Sequence, residues 1–193
     1  MKHRFTFLLL FLTIIGMTVL SACGDNHSKH NSSNPNKAEN SEDHSQMDHS
    51  MHSSSGKLPV GLKSAENPAY KVGSEVIVHA DHMEGMNGAA AKVTGAFQTT
   101  AYVVSYTPTT GGKKVTNHKW VIEEEIQDAG DKKLEPGTEV TLEADHMEGM
   151  KGATATIDSA EQTTVYMVDI TPTNGGEIMK NHKWVTEDEL SAK

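Results

Sequence analysis

Ala80-Asp-His-Met-Glu-Gly-Met86 returns unchanged 64 residues later as Ala144-Asp-His-Met-Glu-Gly-Met150. The same offset relates Gly73 to Gly137, Tyr102 to Tyr166 and Thr107-Pro108 to Thr171-Pro172. It also relates Gly111-Gly112 to Gly175-Gly176 and Asn117-His-Lys-Trp-Val121 to Asn181-His-Lys-Trp-Val185, with no gap between Gly73 and Leu190. Two copies are too few for a solenoid, which needs about three units to bury its faces. The pattern is a duplicated small domain.

Each copy reads as β-structure. Glu75-Val-Ile-Val-His79 and Glu139-Val-Thr-Leu-Glu143 are short runs entered from a Gly turn. Ala89 to Phe97 and Ala153 to Ile157 alternate small or apolar residues with polar ones. Thr99-Thr-Ala-Tyr-Val-Val-Ser-Tyr106 and Thr163-Thr-Val-Tyr-Met-Val-Asp-Ile170 carry the β-branched and aromatic residues of strands. Pro-Thr-x-Gly-Gly segments mark turns. Lys119-Trp-Val-Ile122 and Lys183-Trp-Val-Thr186 are closing strands, each followed by one helical turn at Glu123 to Ile126 and Glu187 to Leu190. The fold class expected is all-β: two tandem small SH3-like barrels, in the order of Tudor and KOW modules, spanning residues 58–129 and 130–193. Trp120 and Trp184 are expected to plug the cores.

Upstream of the repeats, Met1-Lys-His-Arg4 precedes an apolar run from Phe5 to Leu20. That run is short of the roughly 20 apolar residues of a spanning helix and has the layout of a secretory signal. Leu20-Ser21-Ala22-Cys23 resembles the bacterial lipobox, which makes residues 1–22 a lipoprotein signal peptide and Cys23 the acylated (palmitate-bearing) N-terminus. The alternative is a cleaved signal with an incidental Cys. Cys23 is the only cysteine, so no internal disulfide can form. The expected location is the outer face of the cell membrane, lipid-anchored and extracellular. Loss of Lys2 and Arg4 leaves 15 of the 17 basic residues against 26 acidic ones, 15 − 26 = −11 with His neutral. Such a surface repels phosphate backbones and attracts cations, so nucleic acid is excluded as a partner.

Residues 23–57 read as a disordered tether: polar, without aromatics or an apolar period, and unable to offset the entropy of ordering. The tether also begins the metal argument. Its His27, His30, His44, Met47, His49, Met51 and His52 interleave imidazole and thioether. His-rich tracts are a compositional sign of metal binding, and thioether sulfur favours soft Cu(I) over zinc. The plain alternative is a polar linker using His for solubility.

A second setting is the duplicated loop, His82-Met83-x-Gly85-Met86 and His146-Met147-x-Gly149-Met150. Its His and Met are three or four residues apart and could converge on one ion, with Asp81 and Asp145 orienting the imidazoles from behind. Equally, Met is a common filler of irregular cores. His118 and His182, before the tryptophans, read as structural residues and as candidate third ligands. His79, Met167 and Met179 lack counterparts of their own type and are set aside. No phosphate loop, Gly-x-Ser-x-Gly or His-Glu-x-x-His is present, so no enzyme and no organic cofactor are expected.

The tandem Asp-His-Met-Glu-Gly-Met-x-Gly-Ala, Thr-Thr-x-Tyr, Thr-Pro-Thr-x-Gly-Gly and Asn-His-Lys-Trp-Val motifs resemble the YdhK family of Gram-positive lipoproteins, which includes the copper-resistance lipoprotein CopL. The resemblance covers both repeats, the lipobox and the tether. It implies a copper-binding role in copper tolerance, alongside a copper-exporting ATPase as partner. Within the loops it points to His82, Met83, Met86, His146, Met147 and Met150 as candidate ligands. The expected function is therefore a membrane-anchored copper binder that sequesters the ion, as Cu(I), or hands it on. The competing function is a cell-envelope interaction module that binds cell wall or a protein partner, since small barrels commonly serve as adaptors and fold does not settle function.

Overall fold

The computed structural model describes residues 54–130 and 133–193. The signal peptide, the lipobox at Cys23 and the tether residues His44, Met47, His49, Met51 and His52 lie outside the described residues. Among those described, the elements are strands and two 3-10 turns, without an α-helix.

Two long strands carry the architecture. The alternating stretch from Ala89 and the run from Thr99, expected as separate strands, form one 17-residue strand, β3 (Ala90–Tyr106). Their duplicates form the 18-residue β6 (Thr154–Thr171). No proline interrupts either, and the register shifts, between Val93 and Gly95 and between Val103 and Val104, are absorbed as bulges. β3 and β6 pair antiparallel from Ala90↔Thr171 to Tyr106↔Ala155. At the centre Thr99 faces Thr163, its own equivalent in the duplicate. A pseudo-twofold axis therefore passes between these two threonines.

Short strands line the outer edges of this ribbon. β1 (Lys63–Ser64), β2 (Glu75–Val78) and β4 (Val115–Ile122) pair with β3. β5 (Glu139–Thr141) and β7 (Met179–Thr186) pair with β6. After β7, the 3-10 turn Glu187–Glu189 swings the chain across to β8 (Leu190–Ala192), which pairs with β2 of the other repeat. The equivalent turn Glu123–Glu125 leads to a bridge between Ile126 and Leu142. The eight-stranded sheet, whose main path runs β5-β6-β3-β2-β8, is open, not closed.

The units of packing are not the units of sequence. One core combines Val76, Val78, Met86, Ala91 and Val93 of the first repeat with Tyr166, Val168, Ile170, Val185 and Leu190 of the second. The other combines Tyr102, Val104, Tyr106, Val121 and Ile126 of the first with Leu142, Met150, Ala155 and Ile157 of the second. Each core is half of one repeat closed by half of the other, because β3 and β6 run through both. The expectation of one self-contained barrel per repeat is corrected on this point. The tryptophans meet in a third cluster at the centre, where Trp120, Ile122, Phe97, Val103, Met167 and Trp184 pack together. Phe97 meets Trp184 edge to face at 5.7 Å, a favoured geometry for aromatic pairs.

A second correction concerns the end of the tether. Residues 54–57 were expected to be disordered, yet they lie along β7. Ser54 N–H donates to Lys180 O at 2.9 Å and Ser54 Oγ to Asn181 O at 2.7 Å. Asn181 Nδ2 donates back to Ser54 O at 3.3 Å, and Lys183 Nζ to Lys57 O at 2.6 Å.

A candidate metal centre shared by the repeats

The loop carrying His146 is held by the opposite repeat. Gly149 sits at φ +74°, and a Cβ there would lie 2.6 Å from Thr110 Oγ1 and 2.9 Å from Pro108 Cβ. Only glycine tolerates both the left-handed backbone and that approach. Its carbonyl accepts the N–H of Thr109 at 2.9 Å, as Gly85 O accepts that of Thr173 at 3.0 Å. Each His-Met loop thus seats on the Pro-Thr-x-Gly-Gly turn of the other copy.

The histidines are fixed by carboxylates that also cross between repeats. His82 Nε2 lies 2.7 Å from Glu189 Oε1, and Trp120 Nε1 donates to Glu189 Oε2 at 2.8 Å. In the mirror arrangement His146 Nε2 lies 2.8 Å from Glu125 Oε1, and Trp184 Nε1 donates to Glu125 Oε2 at 3.0 Å. Burial pushes both carboxyls up, but the histidine and indole partners outweigh it. Glu189 is held down to about 2, and Glu125 below its ordinary value. Asp81 and Asp145, expected to orient the imidazoles, are exposed; the orienting group comes from the other repeat.

These bonds determine which nitrogens are left over. A histidine whose Nε2–H is donated to a carboxylate presents a lone pair on Nδ1. His82 Nδ1 and His146 Nδ1 are buried without a hydrogen-bond partner, and so is His118 Nε2. The carboxylate–histidine arrangement is the one that orients metal-ligating imidazoles and raises their basicity. His118 stands on β4 opposite Val104. Its ring centre is 6.2 Å from that of His146 and 6.0 Å from that of Tyr106. Burial, with His146 and His82 nearby, lowers the His118 pKa to about 4, so its ring is neutral at physiological pH. Tyr106 Oη lies 3.8 Å from Met147 Sδ, and burial raises the phenol pKa, keeping it a donor. Met147 is 40% exposed and borders a shallow pocket of about 470 Å³ shared with His146, Asp145 and Thr110.

The expected ligands therefore divide. His146, Met147 and His118 come together, joined by Tyr106, which sequence reasoning did not single out. His82 and His182 occupy the equivalent positions across the axis, where Ile170 replaces Tyr106 and Met83 is partly buried against the core. Met86 and Met150 were expected among the ligands; the structure seats both, fully buried, in the two apolar cores. Among the described residues, no group of three His, Cys, Asp or Glu side chains is placed to hold a metal ion. Any site here rests on imidazole plus thioether.

The family described as a protein of unknown function (DUF1541) matches residues 72–123 and 136–187, one match to each repeat. The chain belongs to the DUF1541 family. The uncharacterized protein YdhK of Bacillus subtilis (strain 168) is 65% identical over 175 residues, covering 91% of this chain and 83% of YdhK. The 2.00 Å crystal structure of the DUF1541 family protein YdhK from B. subtilis is 67% identical. It covers 78% of this chain and all of its own, with a TM-score of 0.72. The solution structure of the YdhK C-terminal domain is 73% identical, covers 64% of this chain and 93% of its own, and has a TM-score of 0.61. The YdhK resemblance read from the motifs is thus borne out.

Proposed function

We propose that this DUF1541 protein is a membrane-anchored extracellular lipoprotein that binds copper as Cu(I) and sequesters it or hands it on. The observation that carries the reading is the pair of buried, bare imidazole nitrogens, His118 Nε2 and His146 Nδ1. They belong to rings 6.2 Å apart, and Tyr106, whose ring centre is 6.0 Å from that of His118, holds the Met147 thioether at 3.8 Å from its hydroxyl. A metal–imidazole bond of about 2 Å plus about 1 Å from nitrogen to ring centre puts two ligating rings roughly 6 Å apart when they oppose each other. Low-coordinate Cu(I) accepts two opposed imidazoles and a thioether. Structural zinc calls for about four donors, and thioether sulfur contributes little to it. Met147, at the surface, is the donor that meets the incoming ion, and the neutral His118 imidazole follows without first losing a proton. Acylation of Cys23 would place the site at the membrane's outer face. The half-and-half cores, each with a 3-10 turn before its closing strand or bridge, support the finer reading of two SH3-like barrels with exchanged halves.

The test is an anaerobic Cu(I) titration of the soluble chain from Gly24 in competition with a chromogenic Cu(I) chelator. Wild type should retain copper, while His118→Gln and Met147→Leu should each weaken retention at least tenfold with unchanged circular dichroism. Retention of no copper, or equal retention by both variants, defeats the reading. Membrane fractionation of Cys23→Ser checks the anchor: the variant should move to the soluble fraction.

A further inference from the structure

The two His-Met loops carry the same letters, Ala80 to Met86 and Ala144 to Met150, yet their first methionines stand in different surroundings. Met147 is 40% exposed and borders the shallow pocket beside His146 and Thr110. Met83, its equivalent, is partly buried against the core of Val76 and Tyr166. The other methionines among the described residues, Met86, Met150, Met167 and Met179, are buried. Tyr106 Oη donates to Met147 Sδ at 3.8 Å, whereas Ile170, at the equivalent position, has no hydroxyl to donate. Of the described methionines, Met147 is the one open to solvent, and a hydroxyl holds it there.

That hydroxyl decides which electrons the sulfur has to offer. A thioether sulfur carries two lone pairs and is a weak hydrogen-bond acceptor. The Tyr106 phenol, buried and kept a donor by that burial, occupies one of them. The other is left for whatever enters the pocket. A soft metal ion takes it as a donor pair. Hydrogen peroxide takes the same pair by another route: the sulfur attacks one peroxide oxygen, an S–O bond forms and the O–O bond breaks. Sulfur gives up two electrons, and the departing hydroxide takes the proton of the transferred hydroxyl and becomes water. The product is a methionine sulfoxide, polar where the thioether was apolar. The one lone pair remaining on its sulfur is the pair that faced Tyr106, and its oxygen is a hard donor that does not suit Cu(I).

We infer that Met147 is a redox modification site: peroxide oxidises it to the sulfoxide ahead of the other described methionines, and its oxidation removes the thioether from the soft-metal site. The second half rests on the copper reading above; the first rests on exposure and geometry alone. The change is reversible, because reductases return methionine sulfoxide to the thioether. Met86 and Met150 cannot respond in this way without the opening of a core.

The experiment uses the mature chain from Cys23, carrying Cys23→Ser and, to remove the thioethers of the tether, Met47→Leu and Met51→Leu. The metal-free chain is treated with limiting hydrogen peroxide, digested at intervals and read by mass spectrometry. Met147 should gain one oxygen about tenfold faster than Met83, since susceptibility follows exposure. Met86, Met150, Met167 and Met179 should be slower still. Chain oxidised at Met147 should retain Cu(I) about tenfold less tightly against a chelator, and methionine sulfoxide reductases should restore retention. Met147→Leu is the control: its weakened retention should fall no further after peroxide. Oxidation of Met83 as fast as Met147, or of a buried methionine ahead of both, overturns the inference. So does selective oxidation of Met147 that leaves Cu(I) retention unchanged, with the copper reading still standing. Retention of no Cu(I) by the unoxidised chain overturns the copper reading instead, and the order of oxidation is still read from the same digests.

Discussion

Glu125, in the first repeat, accepts the indole N–H of Trp184, in the second, at 3.0 Å. Its other oxygen meets His146 Nε2 at 2.8 Å, and both partners belong to the repeat that Glu125 does not. The carboxylate is buried, so its partners are what make its charge tolerable there. Replacement by Ala would orphan a buried indole and a buried imidazole together. Breaking such a pair costs about 3–5 kcal/mol, so Glu125→Ala should lower the unfolding free energy by about that much in a urea titration. Glu125→Gln keeps an acceptor for Trp184 and should lose less than half as much. An Ala variant as stable as wild type would show that this link between repeats holds nothing.

Gly149 and Gly85 offer a graded test of the same exchange. Both have positive φ, but their neighbours differ. A Cβ at Gly149 meets Thr110 Oγ1 at 2.6 Å and Pro108 Cβ at 2.9 Å, atoms that cannot easily move aside. At Gly85 it meets only the Asn174 side chain, at 2.9 Å or more, which can rotate. Gly149→Ala should therefore destabilise by about 2–3 kcal/mol and Gly85→Ala by about 1 kcal/mol, the cost of a left-handed non-glycine residue. Urea midpoints of the two variants measured side by side decide it; the reverse order would contradict the geometry.

The duplication was fully legible, because an unbroken 64-residue offset needs only the letters. So were most strand segments and the single helical turn after each tryptophan, though not β1, β8 or the fusion of two segments into each long strand. The exchange of halves was not. Alternation tells that Val76 or Val104 faces a core, but not whose residues cover it, and both copies carry the same alternation. Gln98 read as a break between two strands, one ending at Phe97 and one starting at Thr99; in the structure Gln98 and Thr99 are the crossing point where β3 passes from one core to the other. Met86 and Met150 misled for a related reason: a thioether in a duplicated loop serves a core as well as a metal. Glu125 and Glu189 were present at the repeat offset all along, but nothing in one dimension says that each binds the other copy's histidine.

Acid should unfold the metal-free protein in two separable stages. His118 has its pKa lowered from 6.5 to about 4 by burial and by His146 and His82. Between those values the unfolded chain holds a proton there that the folded chain does not, so stability falls as pH drops from about 6.5 to 4. A shift of that size corresponds to about 3 kcal/mol. Glu189 is held at about 2, below its ordinary 4.5, by His82, Thr186 N–H and Trp120 against the opposing effect of burial. Its contribution is intact above about 4.5 and lost as pH falls through 2. Thermal melts from pH 7.5 to 2.5 should show both, with His118→Gln flattening the upper stage only and Glu189→Gln the lower.

The halved cores lead to a last expectation, about the repeats when separated. Residues 133–193 alone would keep β6 whole, but its N-terminal half would lose Tyr102, Val104 and Tyr106, and its C-terminal half would lose Val76, Val78 and Val93. Burying one such side chain contributes about 1.5–3 kcal/mol, so an isolated repeat cannot close either core by itself. A second copy could supply the missing halves, because the pseudo-twofold between Thr99 and Thr163 becomes a true twofold when both strands are β6. Residues 133–193 expressed alone should therefore be either unfolded or a dimer, with no folded monomer, as read by light scattering after size exclusion together with amide dispersion in NMR. Mixing with residues 54–130 should produce a one-to-one complex with the spectrum of the intact chain. A well-dispersed monomeric repeat would mean that each copy can fold back on itself, and that the exchange is an arrangement the linked chain selects without requiring it.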